Sequence, residues 1–159
     1  MRIGQGYDIH PLREGRALIL GGVTIPHSHG LDGHSDADVL THAICDALLG
    51  AMGEGDLGTR YPSSNPAFKD LSSLLMLENV VQTLTEKKLC LVNLDTVICA
   101  QVPKLAPYRQ AMQECLAHVL QVDLGQVNVK VKSGEGIGMI GRAEGIAVMA
   151  VCLIQSLNT

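Results

Sequence analysis

The segment from about Arg142 to Ile154 has the pattern of a β-strand that is apolar on both faces. One face carries Ile146, Val148 and Ala150, and the other carries Ala147, Met149 and Val151. Side chains alternate between the two faces of a strand, so both sides of this strand have to be covered. Helices on one side of the sheet would leave the other side bare. A symmetric oligomer that packs sheet against sheet is the economical way to cover it.

Strand-like and helix-like segments alternate along the rest of the chain. The predicted strands are residues 2–10, 89–101 and 127–132, with a short hairpin over 17–26 that turns at Gly21 and Gly22. The predicted helices begin at Ser35 or Asp36, at Leu71 and at Pro107, and the last two end near Lys87 and Leu120. This order predicts an α/β (α+β) sandwich, a single mixed β-sheet with helices on one face, plus a short β-hairpin. We expect residues 1–159 to form one domain.

Three segments between these elements are predicted to be loops. They are the stretch that holds His27, His29 and His34, the Pro- and Ser-containing residues 56–70, and a glycine-rich turn over 134–141. Side chains in such connections are exposed more often than those in strands and helices. Histidines and other polar or titratable residues in these loops are therefore candidates for a binding site.

Composition and charge exclude several classes of protein. Hydrophobic residues make up 47% of the chain but aromatic residues only 3%, so the core must consist of Leu, Ile, Val, Ala and Met. The net charge is −4 and no Lys/Arg cluster stands out, which argues against a nucleic-acid partner. No apolar run approaches the roughly 20 residues of a membrane span, and no targeting pattern is visible. We expect a cytoplasmic protein without a membrane partner.

The five cysteines fit the same expectation. Their number is odd and no two of them have the CxxC spacing of a metal or redox motif. Most fall at apolar positions within predicted elements, where free cysteine behaves as a small hydrophobic residue. We predict buried, reduced thiols and hence a reducing compartment.

Asp8, His10 and His42 are candidate metal ligands. Asp8 and His10 are two residues apart on a predicted strand and so share one face, while His42 lies one turn into a predicted helix. One carboxylate and two imidazoles suit Zn²⁺ and leave a fourth position open, as in catalytic zinc sites. The alternative is three unrelated polar residues near loops. Asp46, one turn beyond His42, is either an acceptor that orients an imidazole or an ordinary exposed carboxylate.

Three further segments carry candidate binding groups. His34 and Ser35 precede a helix, where free N–H groups favour an anion, although N-capping by Ser35 competes with this interpretation. The turn over 103–107 could present backbone groups to a flat base with Lys104 beside a phosphate, or could simply connect two elements. The turn over 132–136 could bind a diphosphate that carries a hard cation such as Mg²⁺, or could be only a glycine turn. Arg142 and Glu144 are predicted on one face of the final strand, as an interface ion pair or at a symmetry axis.

Several runs of sequence, taken together, match one enzyme family. They are M-R-I-G-x-G-Y-D-I-H, L-I-L-G-G-V-x-I-P, G-L-D-G-H-S-D-A-D-V-L-x-H-A-I-C-D-A-L-L-G-A, G-D-L-G, Y-P-x-x-x-P-x-F-K, A-Q-x-P-K-L-x-P-Y and G-R-A-E-G-I-A. On these runs, which cover essentially the whole chain, it resembles the 2-C-methyl-D-erythritol 2,4-cyclodiphosphate synthase family of the non-mevalonate isoprenoid pathway. The H-S-D-x-D-V run with the upstream D-x-H is the most specific of them.

The resemblance implies a homotrimer with active sites at subunit interfaces. The implied substrate is 4-diphosphocytidyl-2-C-methyl-D-erythritol 2-phosphate, a small cytidine diphosphate, and the products are the cyclic diphosphate and CMP. By the same resemblance Asp8, His10 and His42 bind zinc, and Glu135 helps to hold Mg²⁺ or Mn²⁺ on the diphosphate. His34 and Ser133 are implied to be catalytic, as donors to the developing charge.

The resemblance also implies a set of substrate-binding residues. These are Ser35, Asp56, Gly58, Ala100, Lys104, Leu105, Ala106, Lys132, Ser133, Glu135, Met139 and Arg142. Within the set, Ala100 and residues 104–106 are implied to form the cytidine pocket together with residues 131–133. Asp56 and Gly58 are implied to meet the ribose or erythritol side of the substrate.

Three departures from the family pattern stand out. The usual Thr-rich T-T-x-E-K run is here 132–136, Lys-Ser-Gly-Glu-Gly, in which Ser133 keeps a hydroxyl. The usual F-P-D-T-D-P loop is here 61–66, Tyr-Pro-Ser-Ser-Asn-Pro, without its carboxylates. Met139 replaces a common Phe. Two rival functions stay open beside the synthase. One is a zinc phosphohydrolase that activates water, and the other is a non-catalytic trimer that binds a cytidine nucleotide or an isoprenoid diphosphate.

Overall fold

A five-stranded sheet organises the fold of residues 1–157, the part of the chain that the computed structural model describes. Its strands are β1 (Arg2–Glu14), β4 (His29–Leu31), β5 (Leu89–Cys99), β6 (Val127–Lys132) and β7 (Gly145–Ser156). The spatial order is β4-β1-β7-β5-β6, antiparallel except for the parallel pair β5 and β6. A separate hairpin consists of β2 (Leu18–Leu20) and β3 (Val23–Ile25). The predicted mixed sheet with an additional hairpin is confirmed.

Helices connect the strands and pack on one side of the sheet. The α-helices are α1 (Val39–Met52), α2 (Leu57–Arg60), α3 (Ser73–Glu86), α4 (Arg109–Leu120) and α5 (Gly138–Gly141). Short 3₁₀ turns cover Pro66–Phe68, Ala106–Tyr108 and Leu124–Gln126. The core between sheet and helices is aliphatic, as the composition predicts, and includes Leu40, Ile44, Leu48, Leu77, Leu94, Ile98 and Leu116. Within residues 1–157, no helix is both long enough and apolar enough to span a membrane.

The two faces of β7 have different surroundings. Ile146, Val148 and Ala150 are fully buried beneath the helices. On the opposite face Met149 is 42% exposed and Val151 45% exposed, although both are apolar. The neighbouring strand β1 continues this exposed face with Ile3 and Tyr7, and Tyr7 pairs directly with Met149. The chain by itself therefore covers one side of the sheet and leaves an apolar surface on the other.

Helix α1 lies directly on β1 because two glycines near the start of β1, Gly4 and Gly6, face the helix. A methyl group on Gly4 would lie 1.8 Å from the carbonyl oxygen of Ala47, far inside contact distance. Only glycine permits backbones to approach this closely. Asp8 and His10 follow on the same face of β1, since side chains of every second residue point the same way.

The first helix starts later than predicted. We expected it to begin at Ser35 or Asp36, but α1 begins at Val39 with Asp38 as its N-cap. Ala37 has a φ of +58°, which a right-handed helix cannot accommodate. The Asp38 carboxylate accepts from Thr41 N–H and from both N–H groups of the hairpin turn at Gly21 and Gly22. It therefore fixes both the helix start and the hairpin.

Other boundaries also differ from the predictions. The expected loop over 56–70 contains α2 and a 3₁₀ turn, and His29 lies in β4 because this short strand pairs with the extended end of β1. A bulge in β5 near residue 92 shifts the alternation of the strand, so that Leu91 is buried in the core together with Leu94 and Ile98. The final strand begins at Gly145, not Arg142, because Ala143 has a φ of +56°. The glycine-rich turn holds α5.

All five cysteines are unpaired thiols, with Cys45 and Cys152 buried and the other three partly buried. Burial raises the pKa of the Cys45 thiol well above its usual range and that of Cys152 to about 11. These two are structural residues of the core. The prediction of full burial is wrong for Cys90, Cys99 and Cys115, which lie at partly exposed positions.

Candidate metal centre and nucleotide site

Asp8, His10 and His42 meet at one point between β1 and α1. Asp8 Oδ2 lies 3.0 Å from His10 Nε2 and 3.1 Å from His42 Nδ1. The two imidazole nitrogens are 3.4 Å apart. The strand brings the first two ligands to one face, and the close packing of α1 on the glycines of β1 brings the third above them.

The triangle of donor atoms has the size that a tetrahedral zinc ion requires. Bonds of about 2.0–2.1 Å to a tetrahedral ion place its ligand atoms about 3.3 Å from each other. The three observed separations lie close to this value. Within residues 1–157 this is the one group of three His, Cys, Asp or Glu side chains that could hold a metal ion.

The second nitrogen of His10 also fits metal binding. His10 Nδ1 is 2.7 Å from the backbone oxygen of Asp32. A carbonyl oxygen only accepts hydrogen bonds, so Nδ1 carries a proton and donates it. Nε2 can then offer its lone pair to a cation, and the bond to Asp32 holds the ring in place.

The electrostatics of the trio favour a bound cation. Burial alone would raise the pKa of Asp8, but hydrogen bonds from His10 and His42 outweigh it and hold that pKa far below the usual range. Burial would lower the pKa of His10, but its bonds to Asp8 and to the Asp32 carbonyl raise it instead. The centre therefore holds a carboxylate that attracts positive charge.

A cavity of about 450 Å³ opens beside the trio. Besides the trio it is lined by His34, Ser35, Asp46, Leu57, Gly58, Tyr61, Pro62, Ser63, Ser64, Phe68 and Met76. The lining thus combines the charged and polar groups of the trio and its neighbours with apolar side chains such as Leu57, Phe68 and Met76. A small ligand with charged and apolar parts would find partners for both in this cavity.

His34 and Ser35 both line this cavity, and Ser35 contacts the trio. His34 Nε2 is 3.2 Å from the backbone oxygen of Asn65 and donates to it, since a carbonyl can only accept. Ser35 Oγ accepts from the backbone N–H of Ala37 and lies 3.1 Å from His42 Nε2. Ser35 therefore shapes the turn before α1 without being its N-cap.

The segment after α1 closes one side of the cavity. The carboxylate of Asp46 accepts from the backbone N–H of Leu57 at 2.7 Å, so it orients this segment rather than an imidazole. Burial raises the pKa of Asp46, and the charges of Asp56 and Asp8 raise it further. Asp56 caps α2 and is exposed, outside the cavity lining, whereas Gly58 belongs to the lining.

The second group of predicted site residues lies at the ends of β5 and β6. The N–H of Ala100 donates to the Lys132 carbonyl at 2.9 Å, which joins the two turns that follow these strands. Gly134 N–H donates to the side chain of Gln101 at 3.2 Å. Ser133 donates its hydroxyl to the carboxylate of Glu135. The segment that follows β5 holds the remaining members of the group, Lys104, Leu105 and Ala106.

The two groups do not form one site within a single chain. No residue of the second group lines the cavity beside the trio, as far as the described residues 1–157 go. Both groups lie near the same end of the strands, at the start of β7. His10 of β1 pairs with Ile146 on one side of β7, and Cys99 of β5 pairs with Ala147 on its other side. One strand therefore separates them.

Met139 and Arg142 follow the 132–136 turn of the second group along the chain. Met139 belongs to α5 and is 46% exposed. Arg142 Nε donates to Glu144 Oε1 at 2.6 Å, and both side chains are largely exposed. The predicted ion pair forms, but it precedes β7 and does not lie within it.

A family model described as the YgbB family matches residues 1–155. The chain belongs to the YgbB family. Relatives over the full chain carry the name 2-C-methyl-D-erythritol 2,4-cyclodiphosphate synthase, which is the family that the sequence motifs predict, so the expected resemblance is confirmed.

Relatives of this chain are similar to it over nearly their full length. A protein of Bacillus pumilus named 2-C-methyl-D-erythritol 2,4-cyclodiphosphate synthase is 54% identical over 155 residues, which is 98% of each chain. A protein of the same name from Desulforamulus reducens is also 54% identical over 155 residues, 98% of this chain and 99% of its own.

Solved structures of the YgbB fold agree closely with this one. The bifunctional IspDF of Campylobacter jejuni has a TM-score of 0.95 and 41% identity, covering 99% of this chain and 42% of that larger protein. An IspF of Plasmodium falciparum, in complex with CDP, has a TM-score of 0.88 and 36% identity, covering 99% of this chain and 97% of its own.

Sequence reasoning missed two residues of this YgbB site. Ser73 Oγ lies 2.9 Å from His42 Nε2, and the Asp36 carboxylate binds Ser73 in turn. Ser73 lies 31 positions beyond His42. No sequence pattern predicts that the first residue of α3 contacts a side chain of α1. Asp36 had a signal, its place in the H-S-D-x-D-V run, but that signal was interpreted as a helix start.

Proposed function

We propose that the protein is a 2-C-methyl-D-erythritol 2,4-cyclodiphosphate synthase. It would convert 4-diphosphocytidyl-2-C-methyl-D-erythritol 2-phosphate to the 2,4-cyclodiphosphate and CMP. The observation that carries the proposal is the triangle of Asp8, His10 and His42 beside a cavity that His34 and Ser35 also line. Full-length relatives with this name support it.

The reaction needs no nucleophile from the protein. An oxygen of the substrate's 2-phosphate attacks the β-phosphorus, a new P–O bond closes the ring, and the bond to the CMP oxygen breaks. Catalysis then consists of holding the two phosphates in line and neutralising charge. When bound, zinc on Asp8, His10 and His42 supplies a Lewis acid for a phosphate oxygen, and Mg²⁺ or Mn²⁺ with Glu135 supplies a counter-charge.

The protein's own groups would act on the phosphate oxygens. His34 and Ser35 line the cavity, where an imidazole N–H and a hydroxyl can donate to a phosphate. Ser133 would donate its hydroxyl to the developing charge from the second group of residues. In the free chain this hydroxyl is bound to Glu135, so substrate and cation would have to take over that bond.

The nucleotide would bind at the second group of residues. Backbone groups of Ala100 and residues 104–106 would hold the cytosine, with Lys132 near the phosphates. Asp56 and Gly58 would meet the sugar or erythritol side, and Met139 and Arg142 would complete the contacts. A cytidine nucleotide as ligand is supported by a family structure solved in complex with CDP.

A homotrimer would join the two groups into one site. The exposed apolar face of the sheet, with Ile3, Tyr7, Met149 and Val151, needs a partner, and three copies packed around an axis would cover it. The neighbouring copy would then bring its Lys132–Glu135 turn to the trio. A single domain over residues 1–159, working in the cytoplasm, is part of the same proposal.

³¹P NMR of the purified protein with zinc, Mg²⁺ and the substrate tests the proposal. Two coupled cyclic-diphosphate resonances that appear together with CMP would establish the synthase. Inorganic phosphate or a linear diphosphate would instead indicate a zinc phosphohydrolase that activates water. An unchanged spectrum, together with thermal stabilisation by CDP, would indicate a binding protein without turnover.

A further inference from the structure

We infer that Ser73 and Asp36 are positioning residues that set the tautomer and the orientation of the metal ligand His42. The inference rests on the proposed metal site. It adds two residues outside the ligand motif that hold the His42 ring through hydrogen bonds. Ser73 is the first residue of α3, is fully buried and lies 2.9 Å from His42 Nε2 through its Oγ. A buried hydroxyl at this distance must form a hydrogen bond with the imidazole.

The direction of that bond follows from Asp36. Its carboxylate accepts the hydroxyl proton of Ser73 and, at 3.0 Å, the backbone N–H of the same residue. An ionised carboxylate is an acceptor only, so the one hydroxyl proton of Ser73 is used toward Asp36. Toward His42, Ser73 Oγ can therefore offer only a lone pair.

His42 must then carry its proton on Nε2. If Nε2 were unprotonated, two lone pairs would face each other at 2.9 Å in a buried place, which is unfavourable. With a proton fixed on Nε2, Nδ1 is the nitrogen left for a metal ion, and it lies 3.1 Å from Asp8 Oδ2. Any proton that Nδ1 donates to this carboxylate in the metal-free chain leaves when zinc binds. The Asp36–Ser73 pair thus prepares Nδ1 as the ligand atom, as the Asp32 carbonyl does for Nε2 of His10.

The pair also connects the ring to the start of α3. The N–H of Asp36 donates to the Leu71 carbonyl at 3.2 Å, so the turn before α1 and the turn before α3 hold each other. Ser35 Oγ, the other group near Nε2, is 3.1 Å away and already accepts from Ala37 N–H. Removal of the Ser73 hydroxyl leaves the imidazole with this weaker partner alone. Loss of such a support typically costs 10–100-fold in metal affinity.

The first test compares zinc affinities by chelator competition in Ser73→Ala, Ser73→Thr and the wild type. We expect a dissociation constant about 10–100-fold higher for Ser73→Ala and recovery in Ser73→Thr, which restores a hydroxyl. Ser72→Ala is the matched control, because Ser72 forms no side-chain cap bond and its substitution should leave zinc affinity unchanged. Equal affinities for Ser73→Ala and the wild type, with a normal circular dichroism spectrum, would overturn the inference.

A second measurement needs no substitution. Long-range ¹H–¹⁵N correlation of the histidine rings in the zinc-loaded wild type should show His42 protonated on Nε2 and His10 on Nδ1. A proton on Nδ1 of His42 would contradict the inference even if Ser73→Ala does not fold. A wild type that binds no zinc at all would contradict the proposed metal site itself, so the two failures are distinguishable.

Discussion

A methyl group on Gly6 would lie 1.9 Å from the carbonyl oxygen of Ala43. Because Gly6 has no side chain, α1 can pack against β1 with the two backbones in direct contact. His42 directly precedes Ala43, and Asp8 lies two residues beyond Gly6 on the same face. The contact that packs the helix is also the contact that brings the third candidate ligand to the other two.

Gly6→Ala should consequently damage both stability and metal binding. The added methyl meets the rigid backbone of a core helix, so α1 must shift outward, and we expect a loss of at least about 3 kcal/mol in the free energy of unfolding. Urea unfolding measures the first effect and chelator competition the second. Gly125→Ala is the control, because nothing lies within 4 Å of a methyl group there. A variant with wild-type zinc affinity would show that α1 is not positioned by this contact.

His42→Ala should remove stoichiometric zinc and activity but leave the proposed trimer intact. Two remaining ligands cannot hold the ion tightly, while the exposed apolar sheet face lies on the other side of the sheet from α1. Zinc content by mass spectrometry and size by light scattering check the two statements. In the wild type, zinc at 100 times its dissociation constant should add about 2.7 kcal/mol of stability, and the variant should lose this gain.

The exposed His118 provides the control for this experiment, since His118→Ala removes an imidazole far from the trio. Unchanged zinc content in His42→Ala would mean that the ligand assignment is wrong. A loss of the trimer would mean that the centre also contributes to assembly.

The metal trio could be predicted from sequence because strand and helix periods fix which side chains share a face. Asp8 and His10 need only an unbroken strand, and His42 needs only a helix that starts before it. The exact helix start was wrong because Ala37 adopts a left-handed conformation, which no residue preference for alanine indicates. This error did not affect the prediction of the trio, because His42 lies within the helix at the predicted start and at the observed start, Val39, alike.

The support of the trio could not be predicted, since it depends on contacts between distant segments. Ser73 meets His42 only because Asp36 binds the start of α3, and no local pattern of either segment expresses this. The bulge in β5 likewise inserts one residue without a glycine or proline to mark it. The separation of the two groups of site residues follows from strand order, which periodicity does not determine.

Asp38→Ala should be one of the most destabilising single substitutions. The fully buried carboxylate accepts from the N–H groups of Gly21, Gly22 and Thr41 and from the Thr41 hydroxyl. Its removal leaves buried donors without partners, at a cost of about 3 kcal/mol or more in the free energy of unfolding. Thermal or urea unfolding measures this, with Glu78→Ala on the exposed side of α3 as the control. A change below about 0.5 kcal/mol, the range expected of surface substitutions, would contradict the assigned role.

Thiol reactivity should follow the pKa shift of Cys152. Burial raises its pKa to about 11, so at pH 8 only about one thiol in a thousand is ionised, and the thiolate is the reactive form. The reaction with a disulfide reagent should therefore be slow in the folded protein and should accelerate as the pH rises toward 11. Cys45, with a pKa raised further by burial, should not react before unfolding. All five thiols should react in denaturant, and rapid labelling of Cys152 in the folded state at pH 8 would contradict its burial.

Glu135→Gln should raise the concentration of Mg²⁺ or Mn²⁺ needed for half-maximal turnover by about tenfold or more. A carboxylate is the preferred protein ligand of these hard cations, and an amide keeps the shape but loses the charge. Glu135 already accepts from Ser133 in the free chain, so the variant should retain the fold of the turn. Metal titrations of turnover measure the effect, with Glu114→Gln on the exposed face of α4 as the control. An unchanged titration together with reduced turnover would assign Glu135 to substrate contact and not to the second cation.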